Sequence, residues 1–137
     1  MTSPILIAED SQNDLDFTLF ALEKCGVSNP VVVVRDGEEA LDYLFLRHQY
    51  EKRNPGNPAL ILLDLKMPKV DGLEVLKMVR ATASLTSIPI IVLTHSVLNA
   101  DLHRSQLLGV DRYVVKPVDL AQFVPDICRA VSAVVSP

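Results

Sequence analysis

The stretch LILLDLKMPKVDG, residues 60–72, runs four aliphatic residues straight into Asp64 and follows them with Pro68 and Gly72. An ionised carboxylate is costly to bury unless it is paired or bound to metal. A chain that ends an apolar strand on Asp64 therefore either caps a turn in water or builds the strand to present that carboxylate. The surrounding sequence decides between the two.

Short apolar runs recur on both sides of this stretch. They are PILIA (4–8), PVVVV (30–34), ALILL (59–63), PIIVLT (89–94) and RYVV (112–115). The runs are rich in Val and Ile and do not alternate with polar residues, as expected of strands covered on both faces. Pro4, Pro30 and Pro89 stand at run starts, where a missing amide donor is tolerated. Between the runs, Leu15, Leu19, Leu22 and Cys25 recur at three- and four-residue steps, as do Ala40, Leu41, Leu44 and Phe45, and Leu73, Val75, Leu76 and Val79. Gly26, Gly72 and Gly109 fall at or near helix ends. Five alternations of strand and helix predict one α/β domain over residues 1–137, with no effector domain. Its sheet is a doubly wound, parallel, five-stranded (βα)5 arrangement with right-handed crossovers. Residues 47–58, polar and carrying two prolines, predict an exposed loop after the second helix. Pro125, inside DLAQFVPDICRAVSAVV (119–135), predicts a kink or a later start for the last helix.

With 137 residues, 49% of them hydrophobic and 22% charged, the chain can bury a real core and is no disordered tail. A net charge of −4 argues against nucleic-acid binding as the main activity. Cys25 and Cys128 are too few for a disulfide scaffold and read as reduced residues of a cytoplasmic chain. No apolar run has the length of a membrane span, and no signal-peptide pattern opens the sequence, so neither membrane nor export is expected.

In an open parallel sheet, ligands bind beyond the carboxyl ends of the strands, at the switch in strand order. Those ends carry Glu9 and Asp10, then Asp64, then Thr94, then Lys116 followed by Pro117. Three carboxylates at close range repel strongly, and a hard divalent cation such as Mg²⁺ relieves this by taking carboxylates, a carbonyl and waters.

On these residues the chain resembles a two-component response regulator receiver domain over nearly its whole length, with the flavodoxin-like topology of that family. The resemblance implies that Asp64 accepts a phosphoryl group from a sensor histidine kinase. It further implies that Asp10 and Asp64 bind Mg²⁺ directly with the Lys66 backbone carbonyl, and that Glu9 acts through water. Thr94 would bond a phosphoryl oxygen, Lys116 would pair with the phosphate, and Tyr113 would be the aromatic that changes rotamer. The Lys116–Pro117 peptide is expected to be cis. His95 departs from the small residue usual after the threonine and would control access. The segments EDSQNDLDF, VRDGEEALDYLF, ILLDLKMPKVDGLEVL and KPVDL resemble the stand-alone regulators of cyanobacterial phytochrome kinases.

Taken singly, each residue has a duller role: Asp64 as a turn former, Glu9–Asp10 as a solvated helix start, Thr94 as a strand former. Their joint placement at strand ends is what favours a site. His48, His95 and His103 lack metal-site spacing, so zinc is not expected. Two rival functions bear weighing. A phosphohydrolase with an aspartyl-phosphate intermediate needs an acid/base carboxylate two residues after the nucleophile, where this chain has Lys66. A flavodoxin-like nucleotide binder needs a phosphate cradle, whereas AEDSQND (8–14) is acidic and has no glycine. Output is expected through protein contacts: a homodimer through helix four, strand five and helix five, using Leu98, Leu102, Tyr113, Phe123, Val134 and Val135.

Overall fold

In the computed structural model of the chain, residues 3–95, 100–116 and 120–135 are described. The elements follow in strict alternation: β1 (Ile5–Ala8), α1 (Gln12–Lys24), β2 (Val31–Val34), α2 (Gly37–Leu44), a 3₁₀ turn at His48–Tyr50, β3 (Leu60–Asp64), α3 (Gly72–Ala81), β4 (Ile90–Thr94), α4 (Ala100–Leu107), β5 (Arg112–Val115) and α5 (Leu120–Ser132). All pairings are parallel and the sheet order is β2-β1-β3-β4-β5. The expected doubly wound α/β sheet is therefore the one found.

Two-sided burial explains why the strands read as continuous apolar runs. Leu6, Ile61, Leu63 and Val92 point into one core with α2 and α3, while Ile5, Ile7, Leu62 and Leu93 point into a second with α1 and α5. Burying each such Ile or Leu contributes roughly 1.5–3 kcal/mol. β1, β3 and β4 are buried throughout, whereas edge strand β2 exposes Val31 and edge strand β5 exposes Arg112 and Val115. The prolines at the run starts lie just outside the strands, yet their carbonyls extend the ladders. Pro30 O accepts from the Ile5 amide at 2.9 Å, Pro4 O from Ala59 at 2.8 Å and Pro89 O from Ile61 at 2.9 Å. A residue without a donor is thus placed where only an acceptor is needed.

Helix starts are set by side-chain caps. Ser11 Oγ accepts from the Asp14 amide, Asp36 from Glu39 and Asp71 from Glu74, each satisfying a donor left unpaired in a first turn. The 47–58 loop is polar and largely exposed but more ordered than its composition suggests. The Tyr50 hydroxyl donates to Glu39 Oε2 at 2.6 Å, and the Arg53 guanidinium lies 4.0 Å from the Tyr43 ring centroid while its Nε donates to Tyr43 O. α5 continues through Pro125, whose ring is exposed, with Phe123 and Ile127 buried on either side of it. The helix begins at Leu120 and is not broken at the proline; core anchoring outweighs the missing hydrogen bond.

The cysteines correct the expectation from sequence. Cys25, at the C-cap of α1, and Cys128, in α5, form a disulfide with their Cα atoms 5.2 Å apart. Packing of α1 against α5 in the second core brings together residues that lie 103 positions apart, a proximity no local pattern encodes. Unfolding without reductant should therefore reveal no titratable thiol, and reduction should lower the melting temperature. The chain-entropy account puts the stabilisation at about 4–5 kcal/mol for a loop of this length. Free thiols in the unreduced, denatured protein would refute the bond.

Candidate functional site

The strand order turns at β1, which pairs with β2 on one side and β3 on the other, so a crevice opens between the ends of β1 and β3. Ala8 pairs with Leu63, and Asp64 with Leu93, which sets Glu9 beside Asp64. Backbone bonds hold the flanking residues one step beyond the strands: the Glu9 amide donates to Val34 O at 3.0 Å and the Lys116 amide to Thr94 O at 2.7 Å. Glu9, Asp64, Thr94 and Lys116 are all buried, while Asp10 is exposed. Helix α3 folds back tightly over the end of β3. A Cβ on Gly72 would lie 2.1 Å from Asp64 O, so only glycine permits that approach.

At the centre stands the Lys116 ammonium. Its Nζ donates to Glu9 Oε1 at 2.5 Å, to Asp14 Oδ2 at 3.1 Å and to Asp64 Oδ2 at 3.1 Å. Asp64 Oδ1 accepts from the Lys66 amide at 3.1 Å, and Glu9 Oε2 from the Ser11 amide at 3.3 Å. Arg35 fixes the loop after β1, donating to Asp10 O at 3.1 Å and Gln12 Oε1 at 3.0 Å. Carboxylate oxygens of Glu9, Asp10 and Asp64 all lie within 4.8 Å of one another. One ammonium cannot neutralise this many acidic groups, and an all-oxygen donor set fits a hard divalent cation.

The electrostatics follow from that imbalance. Burial, reinforced by a hydrogen bond to Asp64, pushes the Glu9 carboxyl up to about 7, against the opposing pull of Lys116. Burial pushes Lys116 down, but Asp64 and Glu9 more than reverse this and hold the ammonium above its ordinary range. Asp14 is pushed up by burial, yet hydrogen bonds from His95 and Lys116 carry it below the usual carboxylate range.

Asp10, Asp64, Glu9, Lys116, Thr94 and Lys66 thus gather at one edge of the sheet, as the strand-end residues suggest. His95 is exposed, and its Nε2 lies 2.9 Å from Asp14 Oδ2. Tyr113 is half-buried, and its hydroxyl accepts from Ser105 Oγ of α4 at 3.0 Å. The Lys116–Pro117 peptide lies outside the described residues, as do Leu98 and the side chains of Leu102 and His103. Two residues expected on a contact face belong instead to the core: Phe123 and Val135 are buried in the α1–α5 layer, where α5 must cover the sheet, and Val134 is half-buried against it. The sequence reading missed Asp14 and Ser105. Asp14 carried a usable signal, since it shares the inward stripe of α1 with Leu15, Thr18 and Leu22, where an acid needs a partner.

A family model for the response regulator receiver domain matches residues 5–127. The chain belongs to the receiver family. Among solved structures, this receiver is similar to the bacteriophytochrome response regulator RtBRR, at 53% identity and TM-score 0.85 over 95% of this chain and 78% of that one. It is also similar to the phosphorylated cyanobacterial phytochrome response regulator RcpA, at 34% identity and TM-score 0.89 over 99% of this chain and 96% of that one. Response regulator Rcp1 of Synechocystis sp. is 38% identical over 116 residues, 85% of this chain and 78% of Rcp1. An Mn²⁺-bound form of Rcp1 superposes with TM-score 0.87 at 32% identity, over 98% of this chain and 96% of that one. Phytochrome-associated response regulators are thus among the relatives of this receiver, and such domains are signalling proteins and not enzymes in the usual sense.

The raised Glu9 carboxyl gives the receiver a pH signature. Between about 4.5 and about 7 the folded state holds on Glu9 a proton that the unfolded state has released, so this group's contribution to metal-free stability falls as pH rises through that window. The depressed Asp14 acts elsewhere: its contribution is present above 3.8 and lost as pH falls through its lower folded value. Mg²⁺ requires ionised ligands, so its stabilisation should be larger at pH 8 than at pH 5, by several degrees of melting temperature. Asp10→Asn should remove most of that gain. An equal Mg²⁺ effect in the variant would exclude Asp10 as a ligand.

Proposed function

We propose that this receiver accepts a phosphoryl group on Asp64 from a sensor histidine kinase of the phytochrome type and signals through protein contacts. The observation that carries this is the placement of the Asp64 carboxylate, held by the Lys66 amide and Lys116 Nζ within 4.8 Å of the Glu9 and Asp10 oxygens. Asp10, Asp64 and the Lys66 carbonyl would hold Mg²⁺, with Glu9 acting through water; when bound, the ion offsets charge on the transferring group. An Asp64 oxygen forms the new P–O bond as the donor's P–N bond breaks, and the electron pair leaves with the imidazole, which takes up a proton. Lys116 pairs with the phosphoryl oxygens, and the Thr94 hydroxyl bonds another. His95, exposed beside Thr94, would control access to Asp64. The relatives named for phytochromes support the kinase class. Because amide and carboxylate are nearly isosteric, Asp64→Asn should retain the fold and lose all labelling by phosphohistidine or small phosphodonors with Mg²⁺. Mass spectrometry finding wild-type labelling in the variant would place the acceptor elsewhere.

Signal leaves by way of Tyr113 and the face formed by α4, β5 and α5. Thr94 pairs with Val115, and Tyr113 lies two residues earlier on the same strand, so a shift of Thr94 toward phosphate is felt at the Ser105–Tyr113 contact. On this face Leu107 is 75% and Val115 38% exposed. A groove of about 310 Å³ runs between β5 and α5, lined by Arg112, Tyr113, Val115, Asp126 and Arg129. Apolar side chains beside charges of both signs suit a self-complementary homodimer. Cytoplasmic placement accords with a kinase partner, and among the described residues no helix is long and apolar enough to cross a membrane. Val115→Glu should weaken self-association at least severalfold, with phosphodonor strengthening the wild-type dimer. Sedimentation of the wild type as a monomer in both states would defeat the proposal.

A further inference from the structure

We infer that Asp14 is a positioning residue for phosphoryl transfer, restraining Lys116 and His95 together at the edge of the site so that the pair selects among phosphodonors by size. The inference rests on Asp64 being the acceptor and adds a residue from α1 to its control. A single oxygen, Asp14 Oδ2, serves both partners, at 3.1 Å from Lys116 Nζ and 2.9 Å from His95 Nε2. The three side chains come from α1, the end of β5 and the end of β4, so the link crosses the second core's upper edge. It also runs from interior to solvent: the side chains of Lys116, Asp14 and His95 are 4%, 16% and 66% exposed. Because Lys116 Nζ touches Asp64 Oδ2, the link borders the acceptor itself.

Proton counting shows what Asp14 does. An ammonium has three donors. Lys116 directs them to Glu9, Asp14 and Asp64. A phosphoryl oxygen can therefore be bound only when one acceptor gives way. Glu9 makes the shortest of the three contacts, and its side chain is fully buried. Asp14 is the acceptor nearest water, where its carboxylate is most easily rehydrated. Releasing Lys116 there loosens the anchor of His95, so capture of the phosphoryl group and widening of the opening are coupled through one carboxylate. A donor no larger than an ammonium-bearing phosphoramidate needs little widening, whereas a phosphoryl-imidazole needs more.

The test compares Mg²⁺-dependent labelling by phosphoramidate and by phosphoryl-imidazole in the wild type, Asp14→Ala, Asp14→Asn, His95→Ala and the Asp14→Ala/His95→Ala pair. The imidazole-to-amide rate ratio should rise about two- to fivefold in Asp14→Ala and in His95→Ala, the scale of a partly exposed charged contact. The double variant should gain no more than either single one, because both remove the same link. Without any donor, the ring ¹⁵N resonances of His95 and the ammonium resonance of Lys116 should move in Asp14→Asn, a variant that keeps the side-chain shape. An unchanged ratio in variants that still label, multiplying effects in the double variant, or unmoved resonances would each overturn the inference. A wild type that never labels on Asp64 would overturn the acceptor assignment, an outcome distinct from labelling with an unchanged ratio.

Discussion

The Lys116 ammonium, surrounded by Glu9, Asp14 and Asp64, is the constraint on which the rest of the site depends. A buried charge with its partner removed is strongly unfavourable, whereas a group with every hydrogen bond satisfied is tolerated. Four elements must therefore end at the same place: β1 for Glu9, α1 for Asp14, β3 for Asp64 and β5 for Lys116. The acidic excess left over makes an all-oxygen donor set of the kind that suits a hard divalent cation. Stability and chemistry share the same atoms here.

The fold meets that requirement by backbone register and not by side-chain adjustment. Parallel pairing of β1 with β3 and of β3 with β4 fixes how far each strand runs before its functional residue appears. Burial on both faces prevents slippage, because a one-residue shift would exchange the inward sets of two cores. Gly72 lets α3 close over Asp64, and Arg35 ties the loop after β1 to the start of α1. The Cys25–Cys128 bond lies at the opposite end of α1 from Ser11 and Asp14. It holds α1 to α5 from the far edge, leaving the helix start, which carries the acidic residues, governed by its own contacts.

For a signalling receiver, the site must be stable and yet able to rearrange. Polar contacts that reach toward solvent serve that purpose. The His95–Asp14 contact lies at the boundary between buried site and surface. It can exchange its partner for water at low cost, unlike the Glu9–Lys116 contact beneath it. A contact of this kind can rearrange while the sheet stays intact.

The sequence by itself determined the alternation, the parallel sheet and the residues at the strand ends. Apolar runs without alternation, helical spacing between them and prolines at run starts are local patterns, and each follows from a local physical rule. Asp10, Asp64, Thr94 and Lys116 were legible because a strand end is a position that periodicity can locate. Tertiary structure alone decided what those patterns could not carry. Cys25 and Cys128 pair because α1 packs on α5, and Phe123 and Val135 turn inward because that same packing needs them. Asp14 joins the site because its helix face meets Lys116 and His95 across separations of 102 and 81 residues. Periodicity reports which face of an element is buried, but the partner on that face is fixed only when the whole chain has closed around it.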